Sequence, residues 1–280
     1  MRQVSWSVDG ETVHGILHPA SGPLRGGLVA THGFNSDLRE LGDLPAHLAR
    51  HGTAVLAFDQ RGFGQSEGEF GFTTAARAVA DIRAALDQLQ SHLPLGTPLG
   101  LLGHSLGGSY VLEAAAEDAR VRAVVVAHPL DRLFDELNPL EKAGYHVVGR
   151  IAEARRRRGK SGGSIPFKVH YTDLFVDPEA VVRARAAGFL RPRVNLANYR
   201  NALQFSAVSS AHRVEVPALL ITSAQDRVVR PTHQRRVFEA IPGRAMMLEH
   251  RSGHSCFGDR EAIFLQDAIA AWLETHLVAP

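Results

Sequence analysis

One stretch constrains this chain more than any other: Leu-Leu-Gly-His-Ser-Leu-Gly-Gly, from Leu101 to Gly108. Its left flank, Pro98 to Leu102, is apolar and short enough for a buried strand. Its right flank, Ser109 to Glu117, is rich in Ala, Leu and Glu and reads as a helix. Between them, Gly103-x-Ser105-x-Gly107 makes a strand-to-helix turn so sharp that the serine backbone must enter a sparsely populated conformation. A Cβ two residues to either side would collide with the neighbouring strand or helix, so glycine stands at both places. Such a turn lifts the Ser105 hydroxyl out of the sheet and aims the first amides of the new helix at whatever binds beside it.

A lone serine hydroxyl is a poor nucleophile near neutral pH. Ser105 therefore needs a base, an acid to orient that base, and donors for an oxyanion. With 280 residues, 45% hydrophobic and 21% charged, the chain is ordinary globular material, long enough for a large core. A formal net charge of +2 argues against bulk electrostatic binding of nucleic acid. The single cysteine, Cys256, excludes an intrachain disulfide and permits an intracellular compartment. The run Met1-Arg2-Gln3-Val4-Ser5-Trp6 alternates like a strand and lacks the apolar core of a signal peptide. No apolar run approaches a membrane span. A soluble, cytoplasmic protein is expected.

Taken in order, Val4 to Val8 and Thr12 to Leu17 flank Asp9-Gly10 and predict an antiparallel hairpin. Gly27 to Thr31 is a buried strand ending at His32-Gly33-Phe34-Asn35. Leu38 to His51 has helical periodicity closed by Gly52, and Thr53 to Phe58 is the next strand. A helix follows from Thr74 to His92, then the turn at Ser105, then a strand at Val121 to Ala127. Late in the chain come a strand at Ala218 to Thr222, a helix at Pro231 to Ala240, a strand at Ala245 to Glu249 and an amphipathic helix at Arg260 to Leu277. Strands alternating with helices define an α/β class, a mostly parallel central sheet with helices on both faces. Residues 129–213 interrupt the alternation, show no clear strand and are rich in Arg and Ala. They read as an inserted helical cap on a core built from residues 1–128 and 214–280.

Open parallel sheets build their sites at the carboxyl edge, so the partners of Ser105 are sought at strand ends. Asp226 follows the strand at Leu219-Leu220-Ile221-Thr222, and His254 follows Met246-Met247-Leu248-Glu249. Their rivals are His250 and Asp259. His250 lies nearer its strand, whereas Gly253 and Ser255 mark a loop around His254. Asp259 follows Gly258 and suits the N-cap of the last helix. Asp59 and Arg61 read as an internal brace, and His32 and His104 as supporting residues. There is no His-Glu-x-x-His, no cysteine pair, no carboxylate cluster and no Gly-x-Gly-x-x-Gly opening a helix. No metal and no cofactor are expected.

Five motifs act together: His32-Gly33-Phe34, Asp59-x-Arg61-Gly62-x-Gly64-x-Ser66, Gly103-His104-Ser105-Leu106-Gly107-Gly108, Asp226-Arg227-Val228-Val229 and Gly253-His254. On them the chain resembles an α/β-hydrolase almost end to end, the cap apart. The subgroup it resembles holds monoacylglycerol lipases, bacterial carboxylesterases and cinnamoyl or feruloyl esterases. One departure is Ser223, where many relatives carry glycine. The resemblance implies that Ser105 attacks an acyl carbon, His254 serves as base and then acid, and Asp226 orients the imidazole. It also implies an oxyanion hole from the backbone N–H groups of Leu106 and Phe34.

The function expected is hydrolysis of carboxylic esters with small to medium or aromatic acyl groups, through an acyl-serine. The expected partner is a small-molecule ester, with no nucleic acid and no stable membrane insertion, and a homodimer is left open. A serine peptidase or amidase is the alternative, with Asp135, Glu136, Asp173 or Asp177 of the cap available to hold a substrate amino terminus. A non-catalytic binding protein is a weaker one, since such members tend to lose a triad residue. Cap aromatics Phe134, Tyr145, Phe167, Tyr171, Phe175, Phe189, Tyr199 and Phe205 read mainly as the cap's own core, with a few facing the pocket. The basic run Arg155 to Lys160 reads as a solvated helix end.

Overall fold

The alternating periods of the chain resolve, in the computed structural model, into one eight-stranded sheet with helices around it. The structure describes residues 1–132, 138–166, 170–198 and 205–277. It opens with β1 (Arg2–Val8) and β2 (Glu11–His18), joined at Asp9 and Gly10, whose φ angles of 50° and 81° suit the twist of a two-residue hairpin. Next come β3 (Gly26–Thr31), a 3-10 turn (Leu38–Leu41), α1 (Leu44–Arg50) and β4 (Thr53–Phe58). The helix expected over 38–51 is thus two pieces. Gly42 turns between them at φ 55°, against the carbonyl of Phe257, and Pro45 opens the second.

The chain continues through α2 (Ala75–Gln90), β5 (Leu99–His104), α3 (Leu106–Glu117) and β6 (Val121–Ala127). After the inserted segment come β9 (Ala218–Ser223), α8 (Pro231–Glu239), β10 (Ala245–His250) and α9 (Ala262–His276). The strand order is β1-β2-β4-β3-β5-β6-β9-β10. β2 runs antiparallel to β1 and to β4, and every later pairing is parallel. Successive side chains of the central strands face opposite ways. Val29, Leu101, Val124, Val126 and Leu220 pack with Ile82 and Leu86 of α2 and Val111 of α3. Leu28, Leu102, Val125, Leu219 and Ile221 pack with Leu44 and Leu48 of α1 and Ile269 and Leu273 of α9. Each of these side chains contributes about 1.5–3 kcal/mol on burial, and together they hold the carboxyl ends of β3, β5, β6, β9 and β10 side by side.

Between β6 and β9 lie α4 (Pro139–Arg156), β7 (Ser164–Pro166), α5 (Tyr171–Leu174), α6 (Pro178–Ala187), β8 (Arg193–Asn195) and α7 (Ala207–Ala211). β7 and β8 pair antiparallel, Ser164 opposite Asn195, so the segment does contain strands. Three residues are too few to show an alternation in sequence. Phe175, Phe189, Ala180 and Ala184 form a small cluster of the segment's own. The last part, from Ala207, packs into the same core as α3, and Ser210 donates to Glu113. Phe134, Asp135, Glu136, Phe167 and Tyr199 lie outside the described residues. Among the described residues no helix is long and apolar enough to cross a membrane.

Candidate active site

Five neighbouring strands each deliver one part of a polar cluster at the carboxyl edge. β3 runs into His32-Gly33-Phe34, β5 into Ser105, β6 into His128, β9 into Asp226 and β10 into His250 and His254. Among the described residues, the non-glycine positions with positive φ are Asp9 in the hairpin and Asn35, Ser105 and His128 along this edge. Strained backbone of this kind persists only where surrounding contacts hold it, and it gathers at functional sites.

Ser105 takes φ 53° and ψ −123° as the residue before α3, and its N–H is held by the carbonyl of Ala127 at 2.8 Å. The glycines around it are required by contact. A Cβ on Gly107 would lie 2.1 Å from the carbonyl oxygen of His32, and one on Gly103 would lie 2.4 Å from the carbonyl oxygen of Gly107. A Cβ on Gly33 would approach that of Ser105 to 2.9 Å, so the loop after β3 lies directly against the serine.

That loop is set by buried polar groups. The Nε2 of His32 accepts from the N–H of Gln60 at 3.1 Å. The N–H of Gly33 donates to Glu40 Oε2 at 2.7 Å, which removes it from service to a substrate and leaves Phe34 as the next backbone donor along the loop. Glu40 also faces Nδ1 of His104 at 3.2 Å, both side chains buried. Burial pushes the Glu40 carboxyl upward, but the imidazolium of His104 and the Gly33 N–H outweigh it and bring Glu40 down to about 2. Burial likewise opposes charge on His104, and Glu40 overcomes it and raises the imidazole above its ordinary value. The other ring nitrogen of His104 donates to the backbone carbonyl of His254 at 2.8 Å, so the buried Glu40 and His104 side chains together link the Gly33 loop to the His254 loop.

Asp226 and His254 meet as the strand-end rule predicts: Nδ1 of His254 donates to Oδ2 of Asp226 at 2.9 Å, both residues buried. Nε2 of His254 is thereby left as the acceptor end of the ring. No hydrogen bond joins Ser105 to His254 among those made by the described residues, a contact that in unliganded sites often closes only around substrate. Oδ2 of Asp226 also accepts from Gln234 Nε2 at 2.8 Å and His128 Nδ1 at 2.6 Å, and Oδ1 accepts the N–H groups of Val228 and Val229. Burial pushes the Asp226 carboxyl up, yet His254, His128 and their hydrogen bonds hold it far below the usual carboxylate range.

Several sequence expectations change in detail. Asp59 and Arg61 do not brace one another. Asp59 accepts from the N–H groups of Leu38 and Gln65, and Arg61 pairs with buried Asp81 at 2.5 Å. Asp259 is not the cap of the last helix, before which Glu261 stands. Its carboxylate collects the N–H groups of Val176, Asp177 and Gly253, tying the inserted segment to the His254 loop. Ser223 has work that glycine could not do. Its hydroxyl donates to the carbonyl of Ser252 at 2.7 Å and accepts from Gln225 N–H, joining the loops of Asp226 and His254. The basic run is the exposed end of α4 as read, except that Arg156, half-buried, pairs with Glu69 and stacks on Phe72. Sequence reasoning missed Glu40, Gln234 and His128. His128 carried a usable signal, a polar residue just after a buried strand at the edge where the other site residues were sought.

Three groups of described side chains bring donor atoms within 4.8 Å: His128 with Asp226 and His254, His128 with His250 and Cys256, and His47 with His51 and Asp267. In the first two the histidine nitrogens facing one another are already spent in hydrogen bonds, which a cation would have to displace. The third joins α1 to α9 and includes none of the strand-end residues above.

Residues 22–261 match the family Hydrolase_4, described as serine aminopeptidase, S33, and the chain belongs to that family of α/β-hydrolases. It is 24% identical over 280 residues to the monoacylglycerol lipase of Mycolicibacterium smegmatis, covering 95% of this chain and 93% of the relative. It is 27% identical over 277 residues to polyketide transferase grgF of a Penicillium species, covering 92% and 90%. The crystal structure of the monoacylglycerol lipase of Paleococcus ferrophilus superposes with a TM-score of 0.79 at 26% identity, covering 94% of this chain and 99% of that one. The chain is a hydrolase of the α/β-hydrolase fold.

Proposed function

We propose that this hydrolase cleaves carboxylic esters through an acyl-serine, with Ser105 as nucleophile, His254 as base and Asp226 as the acid that orients it. The observation that carries the reading is a His254 whose Nδ1 is committed to Asp226 at 2.9 Å, at the same carboxyl edge where β5 ends in Ser105 at φ 53°. Ser105 Oγ adds to the acyl carbon while its proton passes to Nε2 of His254. The oxyanion is received by the N–H groups of Leu106 and Phe34, and the alcohol leaves with the proton from His254. Water then repeats the steps on the acyl-serine and frees the acid. Asp226 stays ionised throughout, as its five N–H donors favour.

A cleft of about 270 Å³ lies between the inserted segment and the loops of Asp226 and His254. Phe175, Val176, Pro178 and Val181 line it with Asp173, Gln225, Arg227 and Gly253. None of Ser105, His254, Phe34 and Leu106 lines it, so its apolar side bears on the part of a small to medium or aromatic ester that extends away from the acyl carbon. The similarity to monoacylglycerol lipases supports the ester bond. The aminopeptidase description of the family, with Asp173 on the cleft wall as a seat for an amino terminus, supports amide cleavage as the second reading. The deciding experiment sets p-nitrophenyl esters from acetyl to long acyl, and cinnamoyl esters, beside aminoacyl p-nitroanilides, with Ser105→Ala in parallel. The expected result is ester turnover that Ser105→Ala reduces by about 10⁴-fold or more. Anilides cut as well as esters would favour the second reading. Folded protein that turns over neither through Ser105 would overturn both.

A further inference from the structure

Behind Asp226 lies a second row of histidines that the acyl-serine cycle does not use. His128, fully buried, places Nδ1 2.6 Å from Oδ2 of Asp226 and Nε2 2.9 Å from Nε2 of His250, itself buried. The far end of the row fixes its direction. The N–H of Ser252 lies 3.0 Å from Nδ1 of His250, and a backbone N–H can only donate. A neutral His250 therefore carries its proton on Nε2 and donates it to Nε2 of His128. That ring must in turn carry its proton on Nδ1, where it donates to Asp226. Each donor in the sequence Ser252, His250, His128, Asp226 meets an acceptor.

The backbone supplies an independent mark. His128 precedes Pro129, a setting that favours extended backbone, yet its φ is 52°. The N–H of His128 donates to the carbonyl of Ile221 at 2.9 Å, and the ring is gripped at both nitrogens. Strain held this tightly, one strand away from Ser105, places the ring rather than filling space.

We propose that His128 and His250 form a neutral, one-directional donor chain that positions Asp226 behind His254. This rests on the triad reading above. The groups facing the chain are His104 with Glu40 behind it, Asp259 and Glu261 toward His250, and the thiol of Cys256. Burial lowers His128 to about 3 and His250 to about 4 against the pull of nearby carboxylates, so both rings stay neutral where the enzyme works. A donor that is always present on Oδ2 fixes the carboxylate that holds Nδ1 of His254.

The first test needs no turnover. Long-range ¹H–¹⁵N NMR of wild type and Ser105→Ala at pH 7 reads each ring's protonated nitrogen. The expected result is His128 protonated on Nδ1 and His250 on Nε2. The opposite tautomer on either ring, or an imidazolium, overturns the proposal whatever the catalytic activity. The second test compares His128→Asn, whose amide can still donate to Asp226, with His128→Phe and His250→Phe, which cannot donate. With a p-nitrophenyl ester, His128→Phe is expected to lower kcat about tenfold with KM changed less than twofold. His250→Phe lowers kcat by less, and His128→Asn recovers most of kcat. Equal losses in the Asn and Phe variants mean packing alone, and would overturn the positioning role. Should His128→Phe not fold, the wild-type tautomers and His250→Phe still decide.

Discussion

The carboxyl edge of the sheet and the segment inserted over it are held by different means. At the edge, glycines at 103 and 107 let backbone meet backbone, and a Cβ would lie 2.1–2.4 Å from a carbonyl oxygen. Buried strands stand behind them on both faces. The inserted segment has a four-residue apolar cluster of its own and leaves Leu140, Val147 and Ile151 of α4 at 83%, 56% and 58% exposure. Ahead of α7, which packs into the core beside α3, it is pinned instead by a few polar anchors. Asp259 holds Val176, Asp177 and Gly253. Glu69 holds Ser161, Gly162 and Asn195. Asn198 takes the N–H of Thr73. A region fixed by repulsion at close contact cannot adjust, whereas one fixed by separate hydrogen bonds can open piece by piece. The proposed chemistry sits on the first, and the cleft wall belongs largely to the second.

The strongest way to break that contrast is a pair of alanines. Gly107→Ala sets a Cβ against the His32 carbonyl within the rigid edge, and a loss of about 3 kcal/mol or more is expected in chemical denaturation. Gly253→Ala sets one 2.4 Å from the carbonyl of Leu174, which can shift with its segment, and about 1 kcal/mol is expected with a proportionally larger loss of kcat. Equal stability losses would remove the distinction.

Acid probes mainly the edge, with His18 of β2 and His47 of α1, which burial also lowers, adding to the same slope. His128 and His250 are held down at about 3 and 4, so on unfolding each takes up a proton once the pH is below the ordinary value of 6.5. Their contribution to stability is intact above 6.5 and is lost as the pH falls toward 4 and then 3. Between about pH 6 and 4.5 the unfolding free energy should fall with a slope approaching about 2.7 kcal/mol per pH unit, two protons' worth. Denaturation in urea at stepped pH measures it, and a flat profile would contradict neutral burial of the two rings.

Asp259→Ala sharpens the other side. Removing an acceptor from three N–H groups should cost about 1–3 kcal/mol, with faster hydrogen exchange at Val176, Asp177 and Gly253 and unchanged protection in β5. The smallest effect is expected at Ser223→Gly, which restores the residue of many relatives and removes the link to Ser252. About 1 kcal/mol is expected in the same denaturation assay, with kcat falling more than KM changes.

Much of the edge was legible because its constraints are local. Gly103, Ser105 and Gly107 fall within five residues, and Asp226 and His254 each follow a short apolar run. The helix over 38–51 was misread as continuous because Leu38 to Leu41 and Leu44 to Leu48 share one apolar period across the Gly42 break. Arg61 is an internal brace as read, but its partner, Asp81, stands twenty residues on, inside α2, beyond any local pattern. The strands β7 and β8 were invisible because neither is long enough to alternate.

The amino-acid sequence by itself determined the α/β alternation, the serine turn and the strand ends from which its partners come. These depend on side-chain period and on glycine at close approach, which neighbours along the chain already decide. Only the tertiary structure decided that Glu40 takes the Gly33 N–H, that Asp259 ties down the inserted segment, and that His128 rather than solvent stands behind Asp226. Those contacts join residues 7, 82 or more, and 98 positions apart. A buried polar group takes its partner from whatever the folded strands bring near, and in this sheet β6 lies beside β9, so His128 lies beside Asp226.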